Sequence, residues 1–183
     1  MYTQICEYLK LLLISPALLP EINAIEQDFR NGITINSTDR NGVPYPLMLN
    51  NALEVAPLAQ CDTTEPIKQM AGPYPRAFVY HIQSEYASDK QESNLRVGQH
   101  RIGISLYGSA KIPEQAEMVV SRLSFAAMKL IERNQYMFSQ LPRSGGASSL
   151  AYVESAVTGM HLPASVVPFH IVLVVKVYET RNA

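Results

Sequence analysis

Residues 76–180 switch twice between two hydrophobic periods, and the order of those periods constrains the fold more than anything else in the chain. In 76–84 (RAFVYHIQS) and 95–107 (LRVGQHRIGISLY) apolar residues tend to fall at every second position. Residues 113–133 then follow the helical spacing. Residues 149–160 and 166–180 return to a strand pattern. The order is strand, strand, helix, strand, strand.

Each segment carries its own signals. Phe78, Tyr80 and Ile82 share one face of the first strand. In the second, Ile102, Ile104 and Leu106 share a face, and Arg101, Gly103, Ser105 and Tyr107 share the other. Pro113 suits the first turn of the helix, and Glu114 and Glu117 suit its positive end. Ala116, Val119, Val120, Leu123, Ala126, Ala127, Leu130 and Ile131 form the stripe that should pack on the sheet. Met118 and Phe125 lie nearly opposite that stripe. Large apolar residues there imply either a partner or cover from the N-terminal helix. In the last strand Phe169, Ile171, Leu173, Val175 and Val177 share a face. Val172 and Val174 lie on the other, so this strand should be central or covered on both sides.

The first 75 residues are less regular. Ile5, Cys6, Leu9, Leu12 and Leu13 are at helical spacing, and Pro16 ends that helix. Pro20 suits one further short turn. The segment 31–75 holds Pro44, Pro46, Pro57, Pro66, Pro73 and Pro75, which argues against long regular elements. Short extended pieces fit Ile33–Ile35 and Leu53–Val55. Either the segment wraps the domain as an extended arm or it reaches a neighbouring subunit; wrapping is the default. The expected whole is one domain over 1–183. It is an α+β fold: a four-stranded, mostly antiparallel sheet packed against an N-terminal helix and one long amphipathic helix.

Composition excludes more than it suggests. A hydrophobic content of 47% is enough for a core. A net charge of -1 gives no electrostatic case for nucleic-acid binding. The run 9–14 (LKLLLI) is too short to span a bilayer and lacks the basic leader of a signal peptide. No membrane partner is expected. Cys6 and Cys61 are the only cysteines; a bridge between them is allowed, but nothing argues for it, and a reducing cytoplasm is the simpler setting.

Chemistry finds little support. His81, His100, His161 and His170 have no short metal-ligand spacing, and each reads as a strand or loop residue facing solvent or a polar neighbour. Ser144, Ser148 and Ser149 lack a Gly-x-Ser-x-Gly elbow. Gly145-Gly146 belongs to neither a Walker loop nor a dinucleotide fingerprint. Neither catalysis, a cofactor nor a metal is expected. The polar stretch Ser84–Asn94 between the first two strands is long for a hairpin loop. Glu85, Asp89, Lys90, Glu92 and Arg96 cluster around it. It is either a solvated loop or a docking loop, which needs only reach and charge complementarity.

Pro75-Arg76-Ala77-Phe78-Val79-Tyr80, the polar loop with Asn94-Leu95-Arg96-Val97-Gly98, and Gln99–Tyr107 resemble the first hairpin of bacteriophage tail terminator proteins. The following helix and the strand pair ending in residues 169–178 (FHIVLVVKVY) are similar to the rest of that family. The resemblance covers 73–180 and, more loosely, the N-terminal helix. It lies in element order and texture, and 31–72 is longer and richer in proline than the family pattern. The resemblance implies a structural virion protein, assembled in the host cytoplasm and located in the tail or neck. Such proteins form a hexameric ring that caps the tail tube, stops its polymerisation and supplies the head-joining surface. Its partners would be further copies of itself, the tail tube protein, head–tail connector proteins and, in contractile tails, the sheath. Met118, Phe125, Val172 and Val174 suit the subunit interface, and the loop charges suit docking to the tube or a neighbour. The alternatives are another connector ring (stopper, adaptor or neck protein) and, third, a small α+β enzyme.

Overall fold

The first helix, α1, spans Tyr2–Leu13 and places Ile5, Cys6, Leu9 and Leu13 on one buried face. The Ser15 hydroxyl donates to the Leu12 carbonyl at 2.6 Å, and Pro16 follows, so the helix cannot continue. The computed structural model describes residues 2–34, 57–64, 73–87, 95–109, 113–136, 138, 150–158 and 166–180.

Two expectations need correction. Residues Leu18–Thr34 form a full helix of 17 residues, α2, rather than one short turn. Pro20 is tolerated because the first four N–H groups of a helix have no intrahelical partner. Leu18, Glu21, Ile22 and Ile25 supply its buried face. Ile33 and Thr34 are therefore helical, not extended; Ile35 and Leu53–Val55 lie outside the described residues.

The second correction is a fifth strand, β1, over Gln60–Asp62. It runs parallel to β2 (Arg76–Ala87), with Gln60 opposite Arg76 and Asp62 opposite Phe78. Arg76 donates to the Asp62 carboxylate at 2.7 Å, and the Ala59 N–H donates to the Pro75 carbonyl at 2.8 Å. The proline-rich segment thus contributes a sheet edge. The sheet is therefore mixed and, as expected, mostly antiparallel.

The other strands are antiparallel: β3 is Leu95–Ser109, β4 is Leu150–Thr158 and β5 is Val166–Thr180. The long helix α3 spans Pro113–Arg133. The sheet order is β1-β2-β3-β5-β4. The β2–β3 pairing continues to Ala87 opposite Val97, so Glu85 sits inside the ladder rather than in a loop.

The register decides the faces. Val79 pairs with Ile104, and Ile104 with Ile171. These residues, with Ala77, Ile102, Leu106, Leu173 and Val175, join one buried cluster with α1, α2 and α3. The described helices therefore cover one face. α1 packs on β1 and β2, α3 packs on β3, β5 and β4, and α2 packs on α3. Gly108 allows the close approach of α3: a Cβ there would lie 3.0 Å from the Ala116 carbonyl oxygen. Phe78, Tyr107 and Val166 form a second, smaller cluster on the opposite face.

Candidate interaction surface

The face away from the helices is built from the odd-numbered side of β3 and its neighbours. Gly103 leaves room for the Tyr80 ring, which would meet an added Cβ at 2.4 Å. The ring therefore lies over the strand and brings its hydroxyl to Ser105 Oγ at 3.3 Å. Ser105 Oγ in turn lies 2.8 Å from His170 Nδ1. The Tyr107 ring packs edge-on against both Phe78 and His170. Burial pushes His170 below the ordinary imidazole value and Tyr107 above the ordinary phenol value.

A serine hydroxyl against an imidazole is the geometry of a base-activated nucleophile. Ser105, however, has no exposed surface, so it cannot meet a substrate. Its role is to satisfy two buried polar groups.

A second chain of this kind lies on the helix face. His81 Nε2 and His100 Nδ1 each lie 2.7 Å from Ser84 Oγ. The Tyr2 ring stacks on His81 with centroids 4.3 Å apart. Beside it is a cavity of about 300 Å³, lined by Tyr2, Thr3, Cys6, Thr63, Tyr80 and His81. Sequence spacing could not bring these histidines together. The cross-strand register and the bulge between His81 and Gln83 do so. His161 lies outside the described residues.

Among the described residues, no three His, Cys, Asp or Glu side chains come together as a metal site. Cys6 and Cys61 are both buried, free thiols. Burial, reinforced by Glu7, pushes Cys6 up to about 11; burial, with Asp62 next, pushes Cys61 up to about 12. Neither is a thiolate near neutral pH.

The four interface candidates are placed differently. On α3, Phe125 is 45% exposed and Met118 is half-buried. On β5, Val172 is half-buried and Val174 is fully enclosed. Val174 lies between Arg101 and Tyr152 in the register. Arg101 donates to Glu85 on one side at 2.9 Å and to Glu154 on the other at 3.2 Å. This charged canopy spans the sheet and accounts for the burial of a valine on the face without helices.

Of the loop residues, Glu85 is on β2, and Arg96 is on β3 opposite Glu179 of β5. Asp89, Lys90 and Glu92 lie outside the described residues. Further exposed apolar side chains were not singled out by the helical pattern: Leu11, Ile14 and Leu19 at the α1–α2 corner. The uncharged run 11–20 (LLISPALLP preceded by Leu11) was their available signal. Among the described residues, no helix is long and apolar enough to cross a membrane.

No protein-family model matches the chain, and no curated protein matches it. Among solved structures it is similar to a chain from the virion of a native gene transfer agent (GTA) particle, with a TM-score of 0.40 and 18% identity over 72% of this chain and 88% of that chain.

Proposed function

We propose that this chain is a structural virion protein of the tail-terminator type: a ring, hexameric by the family resemblance, that caps a tail tube, stops its growth and offers a surface for joining the head. The observation that carries this reading is the apolar surface on the helix layer. Leu11, Ile14, Leu19 and Phe125 are all large, apolar and at least 44% exposed. Large apolar side chains exposed on the outer helix layer suit contact with a partner. The helices on one face and the aromatic, hydrogen-bonded sheet on the other also give the protein two unlike surfaces, which a ring with a tube side and a head side requires.

In this reading Met118, Phe125 and Val172 lie in or beside subunit contacts, and Val174 supports the canopy above it. The segment 88–94 and the flanking Glu85 and Arg96 reach the tube or a neighbouring subunit. No chemical step is assigned to any residue.

The test is electron microscopy of the purified protein, alone and mixed with tail tubes of its own virus. A closed ring that sits on one tube end and halts tube growth is the expected result. A ring that ignores the tube but binds the head vertex would make it a connector protein. A monomer under both conditions would defeat the ring reading.

A further inference from the structure

The sheet ends on two open edges, and they match. β1 covers only Arg76, Ala77 and Phe78 of β2. From Val79 to Ala87 the outer side of β2 faces no strand among the described residues. At the far side of the sheet β4 is the last strand. There the Gln135 carbonyl accepts the Ala151 N–H at 2.9 Å, and from Tyr152 to Thr158 no described strand flanks it.

Both edges lack two of the usual guards. Native edges are commonly guarded by lysine, proline or outward charge. Residues 79–87 and 152–158 contain neither lysine nor proline. Their only carboxylates, Glu85 and Glu154, are both bonded to Arg101 of the same chain. Among the described residues, the large exposed hydrophobics of the sheet all lie on these two strands: Ile82 (46%), Tyr86 (46%), Tyr152 (38%) and Val157 (60%).

Direction and facing also agree. Successive antiparallel pairings from β2 through β3 and β5 make β4 run opposite to β2. A second copy placed alongside with its sheet in the same orientation therefore meets β2 with an antiparallel β4. Each edge carries one bulge, between His81 and Gln83 on β2 and between Val153 and Ser155 on β4. With Tyr80 set opposite Val157, the two bulges fall one rung apart and the facings agree on both sides of them. The helix-face residues Val79, His81 and Ser84 then oppose the helix-face residues Thr158, Ala156 and Val153. Glu85 opposes Tyr152 on the other face.

We propose that β4 of one copy adds antiparallel to β2 of the next, with Tyr80 opposite Val157 and Glu85 opposite Tyr152, and that this head-to-tail contact closes the ring. The inference rests on the ring reading above and specifies its geometry. The contact joins two different surfaces, so it is heterologous and forms a ring wherever the rotation closes. The helix layers of all copies then lie on one side of a continuous sheet.

Two variants of the full chain test it. N–H groups alternate in direction along a strand. Ala151 points its N–H away from β5, and counted through the bulge Ala156 does the same. Ala156→Pro removes that outward donor and leaves the β5 pairing in place. It should abolish assembly in light scattering while circular dichroism stays unchanged. Directly opposed residues bring Cβ atoms within disulfide reach. Glu85→Cys with Tyr152→Cys in one chain should, on mild oxidation, give a covalent ladder ending at the ring size; either single variant should give none.

A wild-type ring whose double-cysteine form yields no ladder overturns the edge pairing and leaves the ring reading standing. Assembly of a folded Ala156→Pro protein does the same. A wild-type protein that is monomeric at every concentration removes both. Should Ala156→Pro fail to fold, the cysteine ladder decides alone.

Discussion

Arg76 has a side chain 3% exposed, and its charge is tolerated because Asp62 meets it at 2.7 Å. Burial pushes the Asp62 carboxyl up, but hydrogen bonds from Arg76 and Gln60 outweigh it, and the net shift is downward. A depressed carboxylate contributes stability above its unfolded pKa and loses it as pH falls through the folded value. Asp62→Asn should cost about 3 kcal/mol, because it leaves a buried guanidinium without its counter-charge. Urea unfolding at pH 7 measures this, and the gap between variant and wild type should close below about pH 4. An unchanged midpoint would show that β1 is held by its backbone alone. His170 follows the same direction for a different reason. Its pKa is lowered by burial, so the unfolded chain takes up the proton first, and stability falls as pH drops below about 6.5. The melting temperature of His170→Gln should therefore vary less between pH 7 and pH 5 than that of the wild type. Equal slopes would place the acid sensitivity at other groups.

At the scale of elements, α3 has two jobs. Its inner stripe seats on β3 and β5, where Gly108 meets the Ala116 carbonyl. Gly108→Ala should push the helix outward by a few tenths of an ångström and destabilise by about 1–3 kcal/mol, as overpacking does. Thermal unfolding would read this directly. The outer side carries Phe125 and the half-buried Met118. Changing both to Asp should give a folded protein of monomer mass, since charge is costly in an apolar contact. Light scattering decides it, and an unchanged mass would take both residues out of the subunit contact. The hairpin offers a contrasting case. Because β2 and β3 remain paired to Ala87 and Val97, replacing 88–94 by Gly-Asn-Gly should leave stability nearly unchanged, at about 0.6 kcal/mol per doubling of loop length. The same change should stop tails from joining heads in a complementation assay. Infectious particles in normal number would mean that 88–94 does not dock.

For the whole molecule, the arrangement is asymmetric in two senses. Among the described residues one face bears helices and the other does not, and one edge is a three-residue parallel strand beside open β2 while the other is β4. Where the two different edges complement each other, the association they give is head to tail. A ring needs no enclosed active site, and Ser105, which meets His170, is itself fully buried. Purified protein added to growing tubes should shorten the tube-length distribution at sub-stoichiometric ratios, since one ring suffices per end. Lengths that do not respond would count against capping.

The sequence by itself determined the α+β order, because periods of 2 and 3.6 leave a residue-by-residue trace wherever an element has one buried face. Residues 166–180 and 113–133 were legible to the residue for that reason. The fifth strand was not: three residues carry no period, and β1 takes its place by pairing with β2 and by the Arg76–Asp62 contact. α2 was hidden by Pro16 just before it and Pro20 in its first turn, although Leu18, Ile22 and Ile25 already held the helical spacing. Apolar character likewise marked Val174, but its burial beneath Arg101 and Glu154 depends on side chains from two other strands. The meeting of His81 and His100 through Ser84, the bulge in each outer strand and the edges left open among the described residues are matters of register. Register is a relation between distant segments, set by how all the strands pack at once, and no single segment encodes it.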